Sequence, residues 1–361
     1  MSEENKKIKV NSTNDKCKNC GGNLTFDPAS QDLHCPNCDS HFPFDKSQKT
    51  IKHNLSEGKI NDDVRSHDEW ASSMKMVKCD TCGAEIMLSG LSMSARCPYC
   101  GSDYVSESKS LPGLKPDEVI PFMFNQDSAC ELFIKGMKKK FFAPSKLKKK
   151  LPEGTIQGIY VPTFTFDADT FTSYKGRLYN NKTYHDSKGR TQTRREYFNI
   201  SGNQNCSHYD IVIESSSRIN DKQMSGILPY NFDGEYEYDS NFIRGYSIEH
   251  YNDSLNISFE KSKSKMAAEI RRAILRKYDY DGVDYLNLNT SYNNEKYSYR
   301  ILPIYSFNIL WKKKNYMIFM NGQTGKVGNQ YPKSVLKITA LVLIIITIVV
   351  GLFILFIFGS N

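Results

Sequence analysis

Eight of the ten cysteines fall into four Cys-x-x-Cys pairs, and the pairs make two copies of one pattern. The first copy is Cys17, Cys20, Gly21, then Cys35, Pro36, Cys38; the second is Cys79, Cys82, Gly83, then Cys97, Pro98, Cys100. In both, 14 residues separate the inner cysteines, a repetition that independent thiols would not produce. A two-residue gap lets a tight knuckle aim two thiolates at one ion, and a glycine after the second cysteine permits the positive φ that closes the knuckle. Two knuckles on neighbouring hairpins complete a tetrahedral S4 site with no position open to water, so these eight cysteines are expected to hold two structural ions. Each ribbon is too small to bury a core, and metal binding supplies about 10 to 16 kcal/mol of its folding free energy. Zinc is the default ion; a mononuclear iron centre suits the same spacing. His34 and His41 could compete as ligands in the first ribbon, but with four cysteines present they are read as surface residues. Cys130 and Cys206 stand alone and are expected to pack as small apolar side chains.

The opposite end of the chain sets the compartment. From Ile338 to Phe358 run 21 residues broken only by Thr339, Thr347 and Gly351. As a helix they span about 32 Å, one hydrocarbon core, so residues 335–358 are expected to form a single transmembrane helix. Met1 to Val10 are polar and charged, with no signal peptide pattern. Lys326, Lys333 and Lys337 precede the span and three uncharged residues follow it, so the positive-inside rule keeps the N-terminal bulk cytoplasmic, tail-anchored in the cell membrane. Reducing cytosol makes clustered cysteines metal ligands rather than disulfides.

The expected organisation is a multidomain chain: a flexible tail (1–14), zinc ribbon 1 (15–45), a linker (46–74), zinc ribbon 2 (75–106), an α+β region of two lobes (107–224 and 225–334) and the membrane helix. In the linker, Asp68, Glu69 and Trp70 suggest a short helix whose Trp70 docks on the second ribbon. The lobes come from two matched pairs of segments. Ile120-Pro121-Phe122-Met123-Phe124 resembles Leu228-Pro229-Tyr230-Asn231-Phe232, and Val161-Pro162-Thr163-Phe164-Thr165-Phe166 resembles Leu302-Pro303-Ile304-Tyr305-Ser306-Phe307. Helices are expected around Asp127–Phe141 and Leu255–Lys277 and hairpins after the second member of each pair, as an internal duplication would give. Asn321-Gly322-Gln323-Thr324-Gly325-Lys326 lacks the spacing of a phosphate loop and reads as a turn. No nucleophile elbow, HExxH or dinucleotide fingerprint is present, and His185, His208 and His250 are scattered, so no enzyme is expected.

Net charge is +8, from 48 basic and 40 acidic residues, and one segment accounts for it. Lys135, Lys138, Lys139, Lys140, Lys146, Lys148, Lys149 and Lys150 enclose Phe141, Phe142 and Pro144 without an acid among them. Three readings stay open: cations solvated at a helix C-terminus, contact with an anionic membrane surface, or phosphate contact with nucleic acid.

The paired ribbons, Lys115-Pro116-Asp117 leading to Ile120-Pro121-Phe122, Gly158-Ile159-Tyr160-Val161-Pro162, and Asn321-Gly322-Gln323-Thr324-Gly325-Lys326-Val327 together resemble bacterial membrane-anchored double-zinc-ribbon proteins of the YdjG type. Labels borrowed from TFIIB-type zinc ribbons or the helicase PriA attach to such proteins, but this chain has no Walker motif. The resemblance implies a non-enzymatic adaptor that recruits SPFH (flotillin-like) and PspA-like proteins to the membrane during envelope stress. A membrane-localised nucleic-acid binder is the alternative. The first ribbon departs from the pattern, with Asp39 where the second has Gly101.

Overall fold

The structure, a computed structural model, describes residues 16–48, 50–58, 74–89, 97–102, 106–108, 114–149, 151, 156–185, 187–216 and 218–358. The expected tail, the linker helix with Trp70, and Lys150 lie outside the described residues.

The first ribbon is a small antiparallel sheet in the order β1 (Thr25–Asp27), β2 (Asp32–His34), β3 (His41–Phe42). Leu24 and Leu33 pack with Cys17 and Cys35 in a core of its own. Phe26, paired with Leu33, meets Phe242 of the body edge-on, ring centroids 5.4 Å apart.

The remaining described strands join one eleven-stranded sheet. They are β4 (His53–Asn54), β5 (Met74–Lys78), β6 (Glu85–Ser89), β7 (Ser106–Ser108), β8 (Glu118–Val119), β9 (Ile156–His185), β10 (Thr191–Glu214), β11 (Tyr236–Glu237), β12 (Ser247–Glu249), β13 (Gly282–Trp311) and β14 (Lys314–Asn321). Its spine is the antiparallel pair β9 and β13, each 30 residues long. At about 3.3 Å per residue such a strand extends about 100 Å. Residues 159–166 are buried on both faces and read as a continuous apolar and threonine run, whereas Thr170, Thr172, Tyr174 and Leu178 are buried between exposed Phe171, Lys175 and Arg177. One strand thus passes from a covered sheet to a half-solvated one. β10 pairs with β9, and β14 with β13.

Helices cover the buried face. Asn125 caps α1 (Gln126–Lys139), its side chain accepting from the Ser128 amide at 2.9 Å. Ala129, Phe133 and Met137 recur at intervals of four and are buried, with Phe133 stacked on Phe307 at 3.9 Å. A short α2 (Asp221–Ile227) buries Met224 and Ile227. In α3 (Leu255–Leu275), capped by Ser254, the stripe of Leu255, Phe259, Met266, Ile270 and Ile274 runs along the sheet. α4 (Val335–Phe358) is long and apolar enough to cross a membrane, and none of its first 18 residues is buried.

The lobes expected at 107–224 and 225–334 are not separate sheets, because β13 of the second is bonded along its length to β9 of the first. Their registers are nonetheless related. Val161 pairs with Leu302, the two residues that the sequence match equates. β8 runs parallel to β13 at Glu118↔Arg300 and Val119↔Ile301, and β12 runs parallel to β9 at Ser247↔Ile159 and Ile248↔Tyr160. Ser247 follows Glu118 by the same interval at which Leu255, opening α3, follows Gln126, opening α1. By these registers residues 249–253, rather than 228–232, run from the end of β12 to α3 as residues 120–124 run from β8 to α1. A shared proline and aromatic motif does not convey this, since strand order is set by pairing partners that local sequence does not record.

The second ribbon is part of the body. Its hairpin β5–β6 pairs with β12 through Met87↔Ile248 and Ile86↔Glu249, and β7 adds to β5. Val77, Ile86 and Tyr99 share a core with Ile159, Val161, Ile304 and Phe319.

Candidate metal centres

The fold brings the predicted cysteines together as two groups, Cys17/Cys20/Cys35/Cys38 and Cys79/Cys82/Cys97/Cys100, with their sulfurs mutually within 4.8 Å. Four knuckles are built alike. Residues 21, 39, 83 and 101 each donate their amide to the carbonyl of the cysteine four residues back, at 2.8, 2.9, 2.6 and 2.8 Å, and each has positive φ, from 60° to 75°. Three are glycine, which meets no Cβ penalty there; Asp39 is the exception.

Sulfur spacing tests the fit to a metal. Cys17 and Cys38 lie 3.5 Å apart, as do Cys20 and Cys35; in the second ribbon Cys79–Cys100 is 3.5 Å and Cys82–Cys97 3.6 Å. All four ligands of a tetrahedral ion at about 2.3 Å stand about 3.8 Å apart, whereas a disulfide would need about 2.05 Å. All eight thiols are free. Each group is therefore close enough to bind an ion, in a geometry consistent with zinc. When bound, the ion would supply cross-linking and charge compensation, not an open catalytic position.

The surroundings push the thiols in opposite directions, lowering Cys38 and Cys79 and raising Cys20, Cys82 and Cys97. The Ser40 hydroxyl and amide bring Cys38 down to about 6. Burial raises Cys79, but hydrogen bonds from Ser102 and the Cys82 amide overcome it and bring it down to about 6. The Gly22 amide lowers Cys20, yet the adjacent sulfurs of Cys35 and Cys38 leave it pushed up to about 12. Burial likewise raises Cys97. Metal uptake displaces the protons that the thiols carry, and the raised Cys20 and Cys97 give theirs up least readily. Ser40 and Ser102 were missed in the sequence. Ser40 Oγ lies 3.2 Å from Cys38 Sγ, and Ser102 Oγ 2.9 Å from Cys100 Sγ. Their shared position, two residues beyond the fourth cysteine, was the available signal.

The ribbons differ in how they meet the body. In the first, Cys20 and Cys38 are exposed; in the second, Cys82 and Cys100 are half-buried. Tyr99, inside the Cys97–Cys100 knuckle, is 1% exposed, and its hydroxyl donates to Glu249 Oε2 at 2.5 Å. Ser216 donates to the other oxygen at 2.9 Å.

His34 and His41, expected as surface residues, stack at 4.7 Å, and His34 Nε2 lies 2.8 Å from Asp39 Oδ1. His185, His208 and His250 remain apart: His208 is buried against Glu269 at 2.8 Å, and His250 stacks on Tyr251. Cys130 and Cys206 are half-buried beside apolar clusters.

The lysine run gathers around the head of α4. Lys337, in the first turn of α4, donates to the Phe141 and Ala143 carbonyls at 3.1 and 2.8 Å, and the Ser334 amide donates to Phe142 at 2.8 Å. Lys140 donates to Asn329 Oδ1 at 2.8 Å and sits over the Tyr331 ring. Lys135, Lys138, Lys139, Lys146 and Lys149 are exposed, and Lys148 is half-buried. Phe141, between the lysines, is 63% exposed, and Leu336, beside Lys337 in the chain, 83%.

A buried ionic cluster also escaped sequence reading. Arg300, 1% exposed, meets Glu118 at 2.5 Å, Asp210 at 2.7 Å and Glu235 at 3.0 Å. Asp210 reaches it from a bulge in β10, where its φ is 49°. Burial pushes Glu235 up to about 7, with Glu118 adding to the effect and Arg300 opposing it.

Fold and sites together define a class: a sheet-rich α+β body bearing two four-cysteine metal ribbons and one exposed apolar C-terminal helix. The chain is similar to the uncharacterized protein YdjG of Bacillus subtilis strain 168, with 24% identity over 326 residues that cover 90% of this chain and 92% of that protein. No protein-family model matches, and no solved structure does.

Proposed function

We propose that the protein is a non-enzymatic zinc-ribbon adaptor, tethered to a bacterial cell membrane by α4 with its bulk in the cytoplasm, that recruits SPFH (flotillin-like) and PspA-like proteins during envelope stress. Zinc is assigned to both four-cysteine groups as a structural ion. The likeness to YdjG over nearly the whole length supports the family part of this reading. Matched registers in β8–β13 and β12–β9 support an internally duplicated body.

The observation that carries the tether is the assembly of the lysine run at the head of α4, bonded to it through Lys337. An apolar helix entering a bilayer there brings these cations to headgroup depth, where each lysine contributes about 1 kcal/mol on an anionic leaflet. Phe141, exposed and with its carbonyl bonded to Lys337, is placed to enter the interface. The same lysines favour the second reading, a membrane-localised nucleic-acid binder, through phosphate contact.

Crosslinking in intact membranes tests the adaptor: SPFH or PspA-like partners are expected, and recovery of nucleic-acid enzymes alone would overturn it. Retention on nucleic acid with a steep salt slope, lost when the run is changed to glutamine, would favour the second reading.

A further inference from the structure

His34, Asp39 and His41 form a third group of metal-ligating side chains, each offering a ligand atom within 4.8 Å of the other two. We propose that this group is a third metal site, taking a divalent transition cation of the zinc class with a coordination position open to the adjoining cleft.

The ribbon fold does not require these residues. The second ribbon, with the same cysteine spacing and the same knuckle hydrogen bonds, has Arg96, Gly101 and Asp103 at the corresponding positions. Asp39 occupies a left-handed position, φ 60°, where the other three knuckles have glycine. A non-glycine residue there carries a backbone cost of about 1 to 2 kcal/mol, less for Asp than for most. What Asp39 gains is His34: Oδ1 and Nε2 are 2.8 Å apart, so a separation of about half an ångström more would bring them to the roughly 3.3 Å between neighbouring ligands on one tetrahedral ion.

That ion pair alone would not account for His41. Its ring stacks on His34 at 4.7 Å with planes 27° apart, and its Nδ1 lies 3.3 Å from Ser30 Oγ. Ser30 Oγ gives its one proton to Asp27 Oδ2 at 2.8 Å, so it accepts from His41 Nδ1–H. This relay fixes the tautomer with the lone pair on Nε2, as outer-sphere partners of metal-bound histidines do. Two imidazoles and one carboxylate are the donor set of open zinc sites and of facial-triad iron sites. The group also lines a cleft of about 470 Å³ between the first ribbon and the body, where Asn125, Gln126 and Arg244 supply further polar lining. A fourth ligand or a small anion has room to approach from that side.

The test uses the full-length chain in detergent, loaded with Zn²⁺, desalted and assayed for metal per chain, with alkylation of the ribbon cysteines read in parallel. Wild type is expected to hold three ions, and Asp39→Gly and His41→Gln two each, with the eight ribbon cysteines protected throughout. Cobalt loading gives a second readout: the third equivalent should add visible absorption without thiolate charge-transfer intensity. Asp39→Gly places the residue best suited to positive φ, and His41→Gln lies outside the knuckle, so a disturbed ribbon in one variant leaves the other informative. Two ions in wild type, or a third that survives both substitutions, would overturn the proposal.

Discussion

Tyr99→Phe isolates the attachment of the second ribbon to the body. The phenol reaches Glu249 Oε2 at 2.5 Å, and the carboxylate is fully buried on β12. Phenylalanine keeps the ring and its edge contact with Phe319 at 6.4 Å, so the change removes one hydrogen bond and little packing. A hydrogen bond to a charged group contributes about 1.5 to 3 kcal/mol. Taking about 2 kcal/mol, the population in which the ribbon has left the sheet should rise about 30-fold, at one decade per about 1.4 kcal/mol. Chelator added to the full-length chain, with pulsed alkylation and mass spectrometry, separates the ribbons by cysteine. Reactivity of Cys82 and Cys100 should rise by that factor, while Cys20 and Cys38 keep their wild-type rate. Equal acceleration of both ribbons, or none at the second, would refute the inference that the Tyr99–Glu249 bond holds the second ribbon in the sheet.

Other expectations follow from the same geometry. In wild type, chelation should expose the first ribbon before the second, because Cys20 and Cys38 are exposed whereas Cys82 and Cys100 are half-buried; limited proteolysis around residues 16–44 reads the order. Arg300→Met leaves Glu118, Asp210 and Glu235 facing one another and should cost about 3 to 5 kcal/mol in urea unfolding. Glu235 has a folded-state pKa of about 7 against an ordinary 4.5. Its contribution to stability is therefore fully present below about 4.5 and lost as pH rises through 7. Glu235→Gln should flatten that part of the stability profile relative to wild type, and an unchanged difference between pH 4.5 and pH 8 would contradict the assignment. Changing Lys135, Lys138, Lys139, Lys146 and Lys149 to glutamine should leave insertion through α4 intact and abolish the preference for vesicles containing anionic lipid, as flotation measures.

Features carried by local chemistry were legible in the chain. Cysteine spacing located both ribbons, and the apolar run from Ile338 located α4 to within a few residues. Asn125 and Ser254, each capping a stripe of buried residues, mark the starts of α1 and α3. What could not be read was pairing between distant segments. Nothing near Ile86 records that its partner is Glu249, so the second ribbon looked like an independent module. Arg300 draws its carboxylates from positions 118, 210 and 235, which only the sheet brings together. The full length of β9 was hidden because its pattern changes from continuous burial to alternation near Asp167. Asp39 was noticed as a departure from glycine, but its meeting with His34 and His41 depends on a left-handed turn and a strand register.

Simultaneous counting of released zinc and newly reactive thiols, as chelator is titrated into the intact reduced chain, tests the two tetrathiolate centres most directly. Two ions should each leave with the appearance of four thiols, first Cys17, Cys20, Cys35 and Cys38, then Cys79, Cys82, Cys97 and Cys100. Thiols that are reactive before any metal leaves, or sulfurs found joined to one another in the freshly isolated protein, would contradict it.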